Sequence, residues 1–89
     1  MRIEFDKAKD EANQAKHGVC LSLARELDWE SALVWLDEQF EYDELRMIAL
    51  APNTDILYYA SFVDRGARRR IISFRRANRR EVQHNVKAI

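Results

Sequence analysis

Ile56-Leu57-Tyr58-Tyr59-Ala60-Ser61-Phe62-Val63, then Asp64-Arg65-Gly66, then Arg70-Ile71-Ile72-Ser73-Phe74, is the stretch whose reading decides the fold. Its first run is rich in aromatic and β-branched residues, the composition that fits a pleated, half-buried surface. Asp64-Arg65-Gly66 has turn chemistry, and Arg70 to Phe74 reads as the next strand. A turn that short makes the two strands antiparallel. Strict alternation along the second strand puts Arg70, Ile72, Phe74 and Arg76 on one face and Ile71, Ser73 and Arg75 on the other.

Upstream, Pro52-Asn53-Thr54-Asp55 reads as a turn that separates this pair from a strand at Arg46 to Leu50, and Ala32 to Leu36 is a further short strand. The N-terminal region is helical. Asp6 can cap, Ala8, Ala12 and Ala15 recur as a narrow apolar stripe, and Gly18 after His17 suits a left-handed C-cap. Ser22 reads as a second N-cap, with Leu23, Ala24 and Leu27 as a short amphipathic helix. Downstream, Asn78 with Glu81 has the spacing of a capping box, followed by Val82, Val86 and Ile89 at helical intervals. The expected architecture is α+β: a small antiparallel sheet of about four strands, two N-terminal helices and one C-terminal helix, with Arg2 to Phe5 as a candidate first strand. A chain of 89 residues has room for one domain, 1–89.

The composition, 47% apolar and 34% charged, is that of a folding chain rather than a disordered one. Cys20 is the only cysteine, which excludes an internal disulfide and CxxC motifs and agrees with a reducing compartment. Apolar runs are too short for a membrane span, and the Met-Arg-Ile-Glu-Phe-Asp start does not read as a signal peptide, so a cytoplasmic location is expected. Zero net charge conceals a strong segregation. Through Asp64 there are six lysines and arginines against fourteen carboxylates, a net of −8, and from Arg65 onward nine against one, a net of +8. Eight of those nine are arginines between Arg65 and Arg80. Arginine binds phosphate oxygens in pairs and stays charged at any working pH, so an anionic ligand is expected at this end. The competing reading is that the two halves neutralise each other across the fold.

With Asn78 as cap, Arg79 and Arg80 occupy the first turn of the last helix, where an exposed cation costs ~0.3–1 kcal/mol against the helix dipole. Arg75 and Arg76 enter the same junction, so four guanidinium groups are expected to converge on free backbone N–H groups that favour an anion. One of Arg75 and Arg76 should face the ligand and the other an acidic partner or solvent. His17 can serve as general acid or base, or simply complement the helix end. His84 is expected in solvent. The acidic run Asp37 to Glu44 lacks the glycine and ligand spacing of a calcium loop, so no metal site is expected. Glu44 and Arg46 would share a face on a strand, as an acid–base pair or a surface ion pair. Trp29, Trp35, Tyr58, Tyr59 and Phe62 read as core or interface aromatics; one tyrosine could stack on a base, and nothing selects which.

Whole motifs resemble the BrnT toxin family: Phe5-Asp6 opening a helix, Lys16-His17-Gly18-Val19 with Ser22, Glu44-Leu45-Arg46-Met47-Ile48-Ala49-Leu50, and the tail from Arg70 through Arg75-Arg76-Ala77-Asn78-Arg79-Arg80-Glu81. The resemblance runs from about Ile3 to Val86. It implies a RelE-like fold and the toxin of a type II toxin–antitoxin system, one that cleaves RNA and arrests translation. It further implies a BrnA-like antitoxin with a ribbon-helix-helix part, hetero-oligomers with that partner, and promoter DNA met only through it, away from membranes. The candidate catalytic residues are then His17, Glu44, Arg46, Arg76 and Arg80, and the candidate RNA-binding residues Arg70, Arg75 and Arg79. Asn85 stands where the family commonly has tyrosine, and Phe74 where a small residue is usual. The expected chemistry needs no cofactor: a ribose 2′-hydroxyl attacks the adjacent phosphate while arginines stabilise the developing charge. A non-catalytic module that binds RNA or an acidic protein through the same arginines, or a basic face that chiefly docks an acidic antitoxin segment, are the alternatives.

Overall fold

The computed structural model describes residues 1–38 and 44–88, with side chains as far as Asn85. The decisive stretch forms β4 (Ile56–Arg65) and β5 (Arg68–Arg76), an antiparallel hairpin. Its turn is Gly66-Ala67 rather than Asp64-Arg65-Gly66, and Gly66 takes φ 61, a left-handed conformation that glycine adopts without a Cβ penalty. β3 (Met47–Asn53) pairs with β4 through a turn of only Thr54 and Asp55, so Pro52 and Asn53 lie inside the strand. Proline is tolerated there because β2 (Leu33–Leu36) stops opposite Leu50, leaving that side of Pro52 open, and its carbonyl accepts from the Asp28 N–H at 2.8 Å.

The short segment before the first helix is a strand, β1 (Arg2–Glu4), and it runs parallel to β5. The sheet is therefore five-stranded and mixed, in the order β1-β5-β4-β3-β2, and not a four-stranded antiparallel one. The helices differ as well. α1 (Lys7–His17) is capped as expected, by Asp6 accepting from the Lys9 N–H and by Gly18 at φ 71. The second N-terminal helix is instead two 3-10 segments, Leu21–Glu26 and Trp29–Ser31. Ser22 caps nothing there. Cys20 holds the cap position without a side-chain bond, and Asp10 of α1 accepts the Leu21 N–H at 2.8 Å. α2 (Arg79–Ala88) closes the chain; the Val86 side chain and Ile89 lie outside the described residues.

One face of the sheet packs the core. Tyr58, Ala60 and Phe62 of β4 oppose Arg76, Phe74 and Ile71 of β5, with Ala49 and Ala51 of β3 alongside. Leu21, Ala24 and Leu27 of the 3-10 region close over them. Each large side chain buried this way contributes ~1.5–3 kcal/mol. Strict alternation in β5 fails, because Ser61 pairs with Ser73 and Phe62 with Ile71, leaving Ile72 as an extra residue. That bulge shifts the parity, so Ile71 and Phe74 share the core face while Arg70, Ser73 and Arg75 share the other.

α1 also differs from its expected packing. Ala8, Ala12 and Ala15 are exposed, and the buried residue is Asn13. Beyond the end of β1, the free edge of β5 has backbone groups to satisfy, and Asn13 does so: its Oδ1 accepts the Phe74 N–H at 3.1 Å and its Nδ2 donates to the Phe74 carbonyl at 2.7 Å. The side chain thus stands in for a strand residue. Nδ2 also donates to the Val19 carbonyl at 2.8 Å, fixing the chain after Gly18.

Candidate active site

The eight arginines between Arg65 and Arg80 divide evenly. Arg65, Arg68, Arg69 and Arg75 pair with Glu44, Glu4, Asp64 and Glu81. Three of those four carboxylates come from the acidic N-terminal part, so neutralisation between the two halves accounts for three of the eight. Arg69 is structural in a second way, since its guanidinium lies over the rings of Trp29 and Phe62 at 4.7 and 4.2 Å. Among the described residues, Arg70, Arg76, Arg79 and Arg80 pair with no carboxylate. Arg76, Arg79 and Arg80 are exposed at the β5–α2 junction, and Arg70 is half-buried on the face opposite the core.

The junction is built around Glu81. Asn78 Oδ1 accepts the Glu81 N–H at 2.9 Å and Glu81 Oε1 accepts the Asn78 N–H at 2.8 Å, the reciprocal box expected from the spacing. The same carboxylate takes two hydrogen bonds of 2.8 Å from Arg75. Burial pushes Glu81 up, but the bonds from Arg75 and from the Asn78 N–H, with the charge of Arg75, bring it below its ordinary value. The four arginines therefore do not converge on an empty helix terminus. Glu81 fills that terminus and claims Arg75, leaving Arg76, Arg79 and Arg80 to solvent. Of Arg75 and Arg76, Arg75 takes the acidic partner, and Arg76 is exposed.

Arg75 in turn lies over the Tyr59 ring at 4.1 Å. His17, the last residue of α1, is half-buried nearby, and partial burial together with Lys16 and Arg75 lowers it from its ordinary 6.5. It is consequently a neutral imidazole at neutral pH, able to accept a proton. Beside it an open groove of about 250 Å³ runs between α1 and β5, lined by Lys9, Ala12, Asn13, Lys16, His17, Ile72 and Ser73. The outward alanines of α1 leave this groove room.

Glu44 and Arg46 do not form the expected pair. Glu44 precedes β3, and its carboxylate is held by two guanidinium nitrogens of Arg65. Those bonds, then the charges of Arg65, Arg70 and Arg46, keep it below the usual carboxylate range, which makes it a poor base. It stands at the Arg70 end of β5, and Arg70 is five residues from Arg75, ~15 Å along an extended strand. The residues of the candidate set thus fall into two groups: Glu44, Arg46 and Arg70 at one end of the basic face, and His17, Arg75, Arg79 and Arg80 about the other end, with Arg76 beside them at the end of β5 but on its opposite face, across from Tyr58. The middle of the acidic run, 39–43, lies outside the described residues.

Residues 5–81 match the family model described as ribonuclease toxin, BrnT, of type II toxin-antitoxin system. The chain belongs to the BrnT family. It is a ribonuclease toxin whose system includes a protein antitoxin. A comparison with curated proteins found no match.

With this BrnT chain placed, the fold distinguishes the two tyrosines that the sequence left undecided and adds two lysines that sequence reasoning overlooked. Tyr59 is the tyrosine on the basic face, whereas Tyr58 is buried and stacked on Phe74 at 4.9 Å. The alternation of β4 carries that signal, once the core face is known. Lys9 and Lys16 line the groove but stand far from the arginines in sequence. His84 is exposed as expected, though its ring meets Trp35 edge-on at 6.2 Å.

Proposed function

We propose that this BrnT toxin, acting as one domain with a RelE-like fold, cleaves single-stranded RNA in the cytoplasm without a metal ion and thereby arrests translation. The observation that carries the reading is His17 near Arg75, next to three exposed junction arginines that pair with no carboxylate among the described residues. In this mechanism His17 takes the proton of a ribose 2′-hydroxyl. The freed oxygen attacks the adjacent phosphorus, the bond from phosphorus to the 5′-oxygen breaks, and that oxygen takes a proton from water as it leaves. The products are a 2′,3′-cyclic phosphate and a 5′-hydroxyl. Arg75, fixed by Glu81, and Arg76 and Arg80 stabilise the charge that develops on the phosphoryl oxygens; removing one such donor costs ~10²–10³ in rate. Arg79 and Arg70 hold flanking phosphates, with Glu44 and Arg46 serving the Arg70 end rather than proton transfer. A BrnA-like antitoxin neutralises the toxin in a hetero-oligomer and carries the contact with promoter DNA.

The test is incubation of the purified protein with labelled single-stranded RNA and with the DNA of the same sequence, each with and without EDTA, beside an Arg76→Ala/Arg80→Ala variant. Cleavage of RNA alone, resistant to EDTA and lost in the variant, supports the mechanism. RNA binding without cleavage would turn the assignment to a binding module, and EDTA-sensitive cleavage would remove the metal-free step.

A further inference from the structure

β2 ends the sheet, and among the described residues no strand pairs with its outer side. The Asp37 N–H donates to the Arg46 carbonyl at 2.9 Å, which fixes the antiparallel phase: Leu33, Trp35 and Asp37 bond to β3, and the backbone groups of Val34 and Leu36 point outward. The same strand exposes apolar side chains on both faces, Val34 at 45%, Leu36 at 39% and Trp35 at 36%. Beside them lies an open depression of about 560 Å³ lined by Leu33, Val34, Trp35 and His84. Natural edge strands are usually protected by being very short or by charged side chains, proline or a bulge; Leu33–Leu36 is short, at four residues, but carries no charge or proline. An edge with free donors and acceptors flanked by apolar side chains is suited to strand addition.

Charge selects the occupant. Asp28 and Glu30 precede the strand, Asp37 and Glu38 follow it, and the sequence between Glu26 and Glu44 contains no lysine or arginine. A second copy of this chain would bring two such sets of carboxylates together across the junction, and RNA would be repelled. We propose that the open edge of β2 is the docking site for the antitoxin, through an extended segment that is apolar in its middle and carries lysine or arginine at its ends. The segment adds as a sixth strand, pairing with Val34 and Leu36. The edge stands three strands from β5, and α2 reaches it through His84, so a segment seated here adjoins the helix that carries Arg79 and Arg80 without covering β5. Calling the partner an antitoxin rests on the toxin reading above.

The experiment is calorimetric titration of the intact chain with its antitoxin, purified as the protein that neutralises it on co-expression. Val34→Pro/Leu36→Pro removes the two outward N–H groups and no bond to β3. At least a tenfold loss of affinity is expected, with an unchanged unfolding midpoint and unchanged RNA cleavage. Glu30→Lys/Glu38→Lys should weaken binding as well and flatten its salt dependence. Affinity within twofold of wild type in a folded proline variant overturns the proposal. Should that variant fail to fold, hydrogen exchange on the wild type decides: the Val34 and Leu36 amides gain protection when antitoxin is added, and unchanged exchange overturns the proposal. Self-association through this edge would assign it to a second copy and also overturn it. A wild type that cleaves no RNA yet loses antitoxin through the proline variant refutes the cleavage mechanism alone. Intact cleavage with unaltered antitoxin binding refutes this inference alone.

Discussion

Asn13→Ala tests how α1, and His17 with it, is held against the sheet. The substitution removes three hydrogen bonds, to the Phe74 N–H at 3.1 Å and to the carbonyls of Phe74 and Val19 at 2.7 and 2.8 Å. Each is worth ~1 kcal/mol net, and a buried group left unpaired costs more. Alanine regains up to ~0.7 kcal/mol of helix propensity, and water entering from the adjacent groove can satisfy part of the loss. The balance is ~2–3 kcal/mol, a large share of the stability of so small a domain. At ~4–8 °C per kcal/mol the unfolding midpoint should fall by roughly 10–20 °C. Asn13→Asp is the sharper variant. Its carboxylate can accept the Phe74 N–H but faces two carbonyl oxygens, so it should be less stable than Asn13→Ala at pH 7. Its folded-state pKa is raised, so its deficit against wild type should shrink as pH falls and the group protonates. Urea unfolding of the three proteins at pH 7 and pH 4.5 measures both effects. An Asn13→Ala protein within 0.5 kcal/mol of wild type, or an Asn13→Asp protein as stable as wild type at pH 7, would refute the strand-substitute role on which the placing of His17 depends (thresholds of about the usual error of such measurements).

His17→Gln should lower the cleavage rate ~10²–10⁴-fold with RNA affinity retained. In the wild type, the rate should be level above pH 6.5, the ordinary value, and fall on acidification as His17 protonates, with the limb lying below that value; a limb above it would exclude His17 as the base. Arg79→Glu removes an exposed cation from the first turn of α2 and adds an anion, each change worth ~0.3–1 kcal/mol, so thermal unfolding should move up by several degrees while RNA binding is lost in a filter assay. Glu81 is held below its ordinary 4.5, so its stabilisation is complete above that value and lost as pH falls through the lower folded value. Glu81→Gln should therefore be less stable than wild type at pH 7, and the gap should narrow in urea unfolding only as pH falls below 4.5.

Short-range signals in the sequence were reliable where they rest on local geometry. The Asp6 and Gly18 caps and the Asn78–Glu81 box each depend on residues within a few positions of one another, and each is present. The strands at Leu33–Leu36 and Ile56–Arg65 follow from composition in the same way. What local reading missed is nonlocal. Nothing around Arg2–Glu4 tells that it pairs in parallel with Arg68–Arg70, more than sixty residues away. Nothing around Ala8, Ala12 and Ala15 tells that the buried side of the helix is polar, because the reason for it is an open edge at Phe74. Likewise Glu44 looks like a partner for Arg46 two residues on. The strand pairing continued three steps past Met47–Phe62 brings it beside Arg65 instead.

The bulge at Ile72 shows how one such feature decides the site. Under strict alternation from Arg69 and Ile71, both on the core face, Ser73 and Arg75 would also turn into the core and Phe74 would turn out. Arg75 could then neither lie over Tyr59, which is on the other face of β4, nor meet Glu81. The extra residue reverses the parity once, after Ile71. Phe74 enters the core against Tyr58, and Arg75 joins Arg70 on the basic face. A bulge costs the strand pair one rung of its ladder. Here the lost rung coincides with the open edge of β5 and the groove beside His17. Burial of Phe74 and the placing of Arg75 are thus a single structural choice, and neither could be altered without the other.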